Sequence, residues 1–459
     1  MESELKPINL APVLAEVLKE VHDCNLSVQF WSRYILQYAR AVCEQKESFS
    51  VDTLDSAVPM IPMLGQAPPN VTKVRLHSAL ERARGLRRAI EGAAKFSDPH
   101  SPGRNRKVAI GIRAEAVAAA CNAAQIQIPF LPPFPPAGQA LRRRLSVIAS
   151  CLPDPLMQNA VRFMPRVFVE YHPSLKATAE RVLIKNQPKE VFYEHFGNYT
   201  QRLFAYLASE KGATLSHVQT GGHVGESLIS VNEAKRFEYD RLLTYGWKLD
   251  KKDKPFFAVR LEEFKKKYGH KTSSCGSHKA DILIVLSPVT SLARQRQYSE
   301  LVEALSSNRI AEKFPHIVLR PRGTSRLISS SKQLKSTDFP YRWSVDDGKV
   351  EMPKLLGTCR LVIQAEYPST NFLEALFVDH PAMAIRTDQE LTPLAAVHVG
   401  RLEKLGLLHK TASDLAAFLE GLELESWWRT VINSTAYQEF KNVFARSKSA
   451  FDAFGEPRP

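Results

Sequence analysis

LVIQAEYPSTNFLEALFVDHPAMAIR, residues 361–386, runs from an apolar β-branched stretch through a short polar break into helical spacing and out again into a second apolar stretch. Residues 361–364 read as a strand, Glu366–Pro368 as a turn, and Ser369 or Thr370 as the N-cap of a helix that continues through Leu376. AMAIR (382–386) reads as the next strand. Two apolar strands joined by a helix cannot pair as a hairpin. They form a β-α-β unit with parallel strands.

The same alternation recurs on both sides of this segment. VAIGI (108–112), an alanine-rich helix candidate at 113–124 and IQIPF (126–130) form another β-α-β pattern. Short apolar runs follow at VFVE (167–170), VLIK (182–185), TLSHVQT (214–220), ILIVLS (282–287) and HIVLRP (316–321), with helical segments between them. Strands alternating with helices predict an α/β fold of two Rossmann-like lobes with parallel sheets. Leu14, Val17, Leu18 and Val21, then Trp31, Tyr34, Ile35, Tyr38 and Val42, recur at three- and four-residue intervals and predict an N-terminal helical cap. The expected divisions are an N-terminal helical region at 1–106, an N-terminal α/β lobe at 107–247, a polar lysine-rich linker at 248–280, a C-terminal α/β lobe at 281–440 and a tail at 441–459. PFLPPFPPAG (129–138), with five prolines in ten residues, predicts an extended spacer.

A chain of 459 residues has length for two or three domains, and 44% hydrophobic with 24% charged residues is an ordinary globular mixture, predicting a soluble protein. Sixty-two Lys and Arg against 48 Asp and Glu leave a formal charge of +14, which favours an anionic partner. The six cysteines lie far apart without a Cys-x-x-Cys pair, so neither a zinc ribbon nor a disulfide framework is indicated. Glu2, Glu4 and Glu16 break the pattern of a secretory leader, and no apolar run reaches the ~18 residues of a membrane helix. These features predict a cytoplasmic protein whose contact with the inner face of the membrane would be peripheral, through basic groups such as Arg82–Arg88 and Arg142–Arg144.

Three segments carry candidate chemistry. In HVQTGGHVGES (217–227) a strand runs into Gly221, Gly222 and Gly225, which let backbone approach a ligand, with His223 and Glu226 as titratable groups and Gln219 beside them. In HIVLRPRGTSR (316–326) a strand ends in Arg320 and Arg322, whose guanidinium forks suit phosphate oxygens. In the opening segment, Ser369, Thr370 and Asn371 sit at a helix N-terminus whose free N–H groups favour an anion, and Glu374 stands one turn inside, where it could accept ribose hydroxyls. Each has a plain structural alternative: a glycine turn with a satisfied histidine, a set of exposed arginines, and an ordinary capped helix.

Taken in order, QTGGHVGE, YGW (245–247), the basic strand end, PSTNFLEAL and HPAMAI resemble the bacterial transferases of surface-polysaccharide gene clusters. YEHFGNYTQRLFAYLASEKGATLSHVQTGGHVGE (193–226) is similar to that family too. The sequence departs from the family pattern at Thr220, Val224, Tyr245 and Ala382.

The resemblance implies a GT-B-like layout and a glycosyltransferase that moves a sugar from a nucleotide-activated donor to a glycan or lipid-linked acceptor. His223 or Glu226 would be the base, and Gln219, Gly221, Gly222 and Gly225 would shape the cleft loop. Arg320, Arg322, Ser369, Thr370, Asn371 and Glu374 would hold the donor. The expected cofactor is none and the expected metal none, because no convincing Asp-x-Asp loop is present and arginines with a helix tip can stabilise a leaving phosphate. The alternatives are a CDP-alcohol-dependent polyol-phosphate transferase, a non-catalytic scaffold, and a nucleic-acid-binding protein. The last is disfavoured because the basic clusters lack interleaved aromatics.

Overall fold

The computed structural model describes residues 7–22, part of 26–35, 107–128, 139–228, 239–268, 280–287, 292–321 and 343–453, apart from scattered positions within these ranges. His223, Arg322, the arginines at 82–88 and the proline-rich spacer at 129–138 lie outside the described residues.

Two six-stranded parallel sheets organise the chain, so the α/β fold class with two Rossmann-like sheets is realised. The first contains β1 (Lys107–Ile110), β2 (Ala124–Gln125), β3 (Glu190–Tyr193), β4 (Thr214–Val218), β5 (Arg241–Thr244) and β6 (Asp253–Pro255), in the order β2-β1-β3-β4-β5-β6. The second contains β7 (Ala280–Val285), β8 (Ile317–Arg320), β9 (Trp343–Val345), β10 (Cys359–Tyr367), β11 (Ala382–Arg386) and β12 (Leu408–His409), in the order β12-β11-β10-β7-β8-β9. Parallel central strands are covered on both faces, which is why β3 and β7 read as almost unbroken apolar runs. In the second sheet, Ile282, Ile284, Leu361, Ile363 and Met383 pack with Leu301, Leu305, Leu415 and Leu419 from the covering helices into one core.

The chain divides into two compact units, one of residues 1–218 with 235–241 and the other of 219–234 with 242–459. In the first unit the helix Pro7–His22 buries Leu14, Val17, Leu18 and Val21 and packs against the helix Gln139–Ser150, the helical element expected at the N-terminus.

The opening β-α-β reading holds in its elements, with strand Cys359–Tyr367, helix Thr370–Phe377 with Ser369 at its N-cap, and strand Ala382–Arg386. The expected turn at Glu366–Pro368 does not form as read: Glu366 and Tyr367 still belong to the strand, and the chain bends only at Pro368. Elsewhere local reading fails in identifiable ways. VLIK (182–185) lies inside the helix His172–Asn186, because Leu175, Ala179 and Leu183 repeat at four-residue intervals and bury one helix face while Ile184 faces solvent. Tertiary packing overrides the β-branched propensity there. Phe168 and Val169 sit in a turn, and the strand after VAIGI is the two-residue β2, Ala124–Gln125, which ends just before IQIPF. The segment expected to be a linker carries β6 and the helix Val259–Tyr268, and the expected tail carries the end of the helix Thr435–Phe444 and the helix Lys448–Ala453.

Candidate functional site

Residues 219–228 leave the carboxyl end of β4 and belong to the second compact unit, not to the N-terminal lobe where the sequence had put them. The organiser of this turn is Gln219, which is buried and uses its whole amide. Its Nε2 donates to the carbonyls of Gly221 at 2.8 Å and Val224 at 2.9 Å, and its Oε1 accepts from the Tyr245 N–H and the Trp247 indole N–H, both at 2.8 Å. An amide side chain has two donors and one carbonyl acceptor with two lone pairs, so nothing is left for a ligand. Gln219 builds the site without occupying it.

One glycine of the turn is required for steric and backbone reasons, and a second lies tight against a neighbouring side chain. Gly225 has φ +97°, and a Cβ there would overlap the Trp247 ring. Gly222 faces the helix Thr370–Phe377, where a Cβ would come within 2.6 Å of Leu373 Cδ1. The Gly222 N–H donates to Thr370 Oγ1 at 3.2 Å, so the glycine turn and the helix tip, which the sequence assigned to opposite lobes, meet inside one unit. Ser369, Thr370 and Asn371 are half-buried, and the Ser369 side chain makes no capping bond, so the first N–H groups of the helix are not consumed by their own cap.

The residues 387–392 brace the turn from β11. Gln389 Nε2 donates to Ser227 Oγ at 2.8 Å, the Leu228 N–H to the Glu390 carbonyl at 3.0 Å, Thr392 Oγ1 to the Gly225 carbonyl and the Thr392 N–H to the Glu226 carbonyl, both at 2.8 Å. Thr392 also caps the helix Pro393–Lys404 by accepting from the Ala395 N–H. Beside this brace lies a cavity of about 670 Å³ bordered by Arg386, Gln389, Glu390 and Lys410.

The other candidate residues are already engaged. Arg320 ends β8 and pairs with Asp346 at 3.2 Å while donating to the Val350 carbonyl at 2.7 Å. Glu374 is buried and pairs with Arg260 of the helix Val259–Tyr268 at 3.4 Å. Glu226 is 0% exposed, and burial pushes its carboxyl up to about 8, with the Tyr367 hydroxyl opposing that rise. Among the described residues no cluster of three or more His, Cys, Asp and Glu could hold a metal ion, and no helix is long and apolar enough to cross a membrane.

Local reading missed Thr392, Tyr367, Trp247 as a hydrogen-bond partner, and the Arg260 and Asp346 counter-charges. Only Thr392 had a local signature, a threonine immediately before Pro393 at the first helical position.

A glycine turn and an open helix tip gathered at the carboxyl ends of parallel strands make this an α/β protein with its polar groups where such sheets bind ligands. Residues 154–453 match the LIC12162 family transferase, about two thirds of the chain, and the chain belongs to that family of transferases. The comparison with curated proteins gives no match. Among solved structures, the UDP-GlcNAc 2-epimerase of Neisseria meningitidis bound to UDP-GlcNAc is 12% identical, over 77% of this chain and 100% of that one, with a TM-score of 0.44. The wall teichoic acid polymerase TagF is 11% identical over 62% and 83%, with a TM-score of 0.32. Alr3699/HepE of Anabaena in complex with UDP and glucose is 12% identical over 61% and 80%, with a TM-score of 0.34.

Proposed function

We propose that this transferase moves a sugar from a nucleotide-activated donor to a surface polysaccharide or related glycan acceptor, on the cytoplasmic side of the membrane. The observation that carries the reading is the junction of the Gly221–Gly222 turn with the helix tip at Thr370. It places backbone N–H groups, a hydroxyl and the positive end of a helix dipole at one spot, which suits a donor phosphate whose charge grows as the glycosidic bond breaks. Ser369, Thr370 and Asn371 hold that phosphate, and the cavity beside Arg386 and Lys410 has room for a sugar.

Roles divide by protonation. Glu226 keeps its proton at neutral pH, so it is a poor base, and removal of the acceptor hydroxyl proton falls to His223. Arg320 adds positive charge at the end of β8, and Arg322 follows it two residues later in the sequence. Arg320 reaches a phosphate by exchanging its Asp346 carboxylate for the ligand. Glu374 is tied to Arg260, and its contact with ribose requires that pair to open.

The test is transfer from a panel of UDP-, GDP-, CDP- and CMP-sugars, with product mass to show which group has moved. His223→Ala should lower turnover by roughly 10²–10⁴-fold, the usual contribution of a positioned base, while donor affinity stays within about twofold. Full turnover in His223→Ala refutes the base assignment. A product heavier by a phosphate-bearing polyol refutes sugar transfer.

A further inference from the structure

Glu226 and Tyr367 form a buried pair that the transfer reading leaves without a role for the tyrosine. Both are sealed from solvent, and neither the Glu226 carboxyl oxygens nor the Tyr367 hydroxyl completes a hydrogen bond with a described residue. They are nonetheless neighbours, and each acts on the ionisation of the other. One segment fixes both backbones. Thr387 donates through its N–H and Oγ1 to the Tyr367 carbonyl at 3.3 and 2.9 Å, and five residues on Thr392 donates to the Glu226 carbonyl at 2.8 Å.

The charged surroundings are sparse. From β11, Arg386 acts on Tyr367, with its guanidinium held by Glu403 at 2.9 Å. Trp247 packs against Gly225 from the other side, but its indole N–H is committed to Gln219. No described cation forms an ion pair with Glu226. A protonated carboxyl is tolerable in such a place. An ionised one has a single hydroxyl to lean on, and burying a charge with so little compensation is costly unless water reaches it. The turn that separates Glu226 from water is held by discrete hydrogen bonds, so shifting it is the available relief.

We propose that Tyr367 is a positioning residue for Glu226, and that the pair holds turn 219–228 in its ligand-ready conformation while Glu226 carries its proton and releases the turn when that proton is lost. The consequence for catalysis rests on the transferase reading: transfer would fall at alkaline pH. The switch itself does not depend on which group is transferred.

The experiment needs no substrate. The full chain labelled with 5-fluorotryptophan gives five fluorine resonances, one from each tryptophan, and Trp247 touches the turn directly. One resonance should titrate with a midpoint near pH 8, the value to which burial pushes Glu226. That titration should vanish in Glu226→Gln. In Tyr367→Phe its midpoint should rise, because the hydroxyl that favours the ionised carboxylate is gone. A tyrosine that merely fills space would leave the midpoint where it was. The proposal is overturned if no resonance between pH 6 and 9.5 depends on Glu226, or if Tyr367→Phe titrates like the parent chain. Should Glu226→Gln fail to fold, the Tyr367→Phe midpoint decides alone. Failure of every nucleotide-sugar assay would leave these outcomes unaffected, so the two ideas fail separately.

Discussion

Replacing Gln219 by Leu keeps nearly the same volume and removes four hydrogen bonds at once. The carbonyls of Gly221 and Val224 lose their donor, and the N–H groups of Tyr245 and Trp247 lose their acceptor. Leaving a buried polar group unsatisfied costs about 1–3 kcal/mol. Four such groups therefore set a floor of about 4 kcal/mol if the turn stays in place. The chain has a cheaper exit, which is to open the turn and let water satisfy the orphaned groups. The expected result is a modest loss of global stability, about 1–2 kcal/mol in denaturant unfolding, with a much larger loss of local protection. Hydrogen exchange at the Trp247 indole and the Tyr245 amide should accelerate by about 100-fold or more, the factor that goes with about 3 kcal/mol of local opening. Gln219→Glu separates the two halves of the network, since it keeps the acceptor for Tyr245 and Trp247 while losing both donors. It should protect the indole better than Gln219→Leu does. Unchanged exchange at Trp247 in Gln219→Leu would refute the view that this amide holds the turn together.

Three further outcomes follow from the same geometry. Glu226 holds its proton to about pH 8 in the folded chain against 4.5 ordinarily, so folding favours the protonated form and stability should decline as pH rises through that window and level off above it. The stability difference between the parent chain and Glu226→Gln should move against the parent by about 1.4 kcal/mol per pH unit between pH 5 and 7.5; a pH-independent difference in denaturant titrations sinks this. Gly225→Ala combines a positive φ with a Cβ that meets the Trp247 ring, and should lower stability by about 2–4 kcal/mol, whereas Gly348→Ala, at φ +78° with open space around it, should lose only about 1 kcal/mol by the same measurement. Arg320→Ala should weaken binding of the preferred nucleotide, measured by thermal shift across UDP, GDP, CDP and CMP, by about tenfold; unchanged affinity removes Arg320 from the donor site.

Local pattern carried the β-α-β logic well where an apolar run had only one way to be buried. Residues 361–386 are such a case: the serine before Thr370, the helix and the two buried strands follow from spacing and capping, although the first strand runs on through Glu366 and Tyr367, where a turn is expected. It failed where a short apolar run could be buried in two ways. VLIK went into a helix because its neighbours four residues apart face the core, while the four-residue β3 took the strand position. The lysine-rich stretch after Trp247 concealed a strand and a helix for the same reason. Lysines need only one exposed face, and Leu261 and Phe264 supply the buried one.

By itself the sequence determined the fold class and the chemical types at the candidate site: glycines where backbone must come close, a serine and a threonine at a helix start, arginines at a strand end. Only the tertiary structure decided their partners. It joined the glycine turn to the helix tip within one unit, spent Gln219 entirely on backbone and indole groups, gave Glu374 and Arg320 counter-charges, and left Glu226 facing a tyrosine 141 positions away. Secondary structure arises from forces between near neighbours along the chain, which composition and spacing record. Burial, ionisation and pairing arise from groups brought together by folding, and no local pattern states which groups those are.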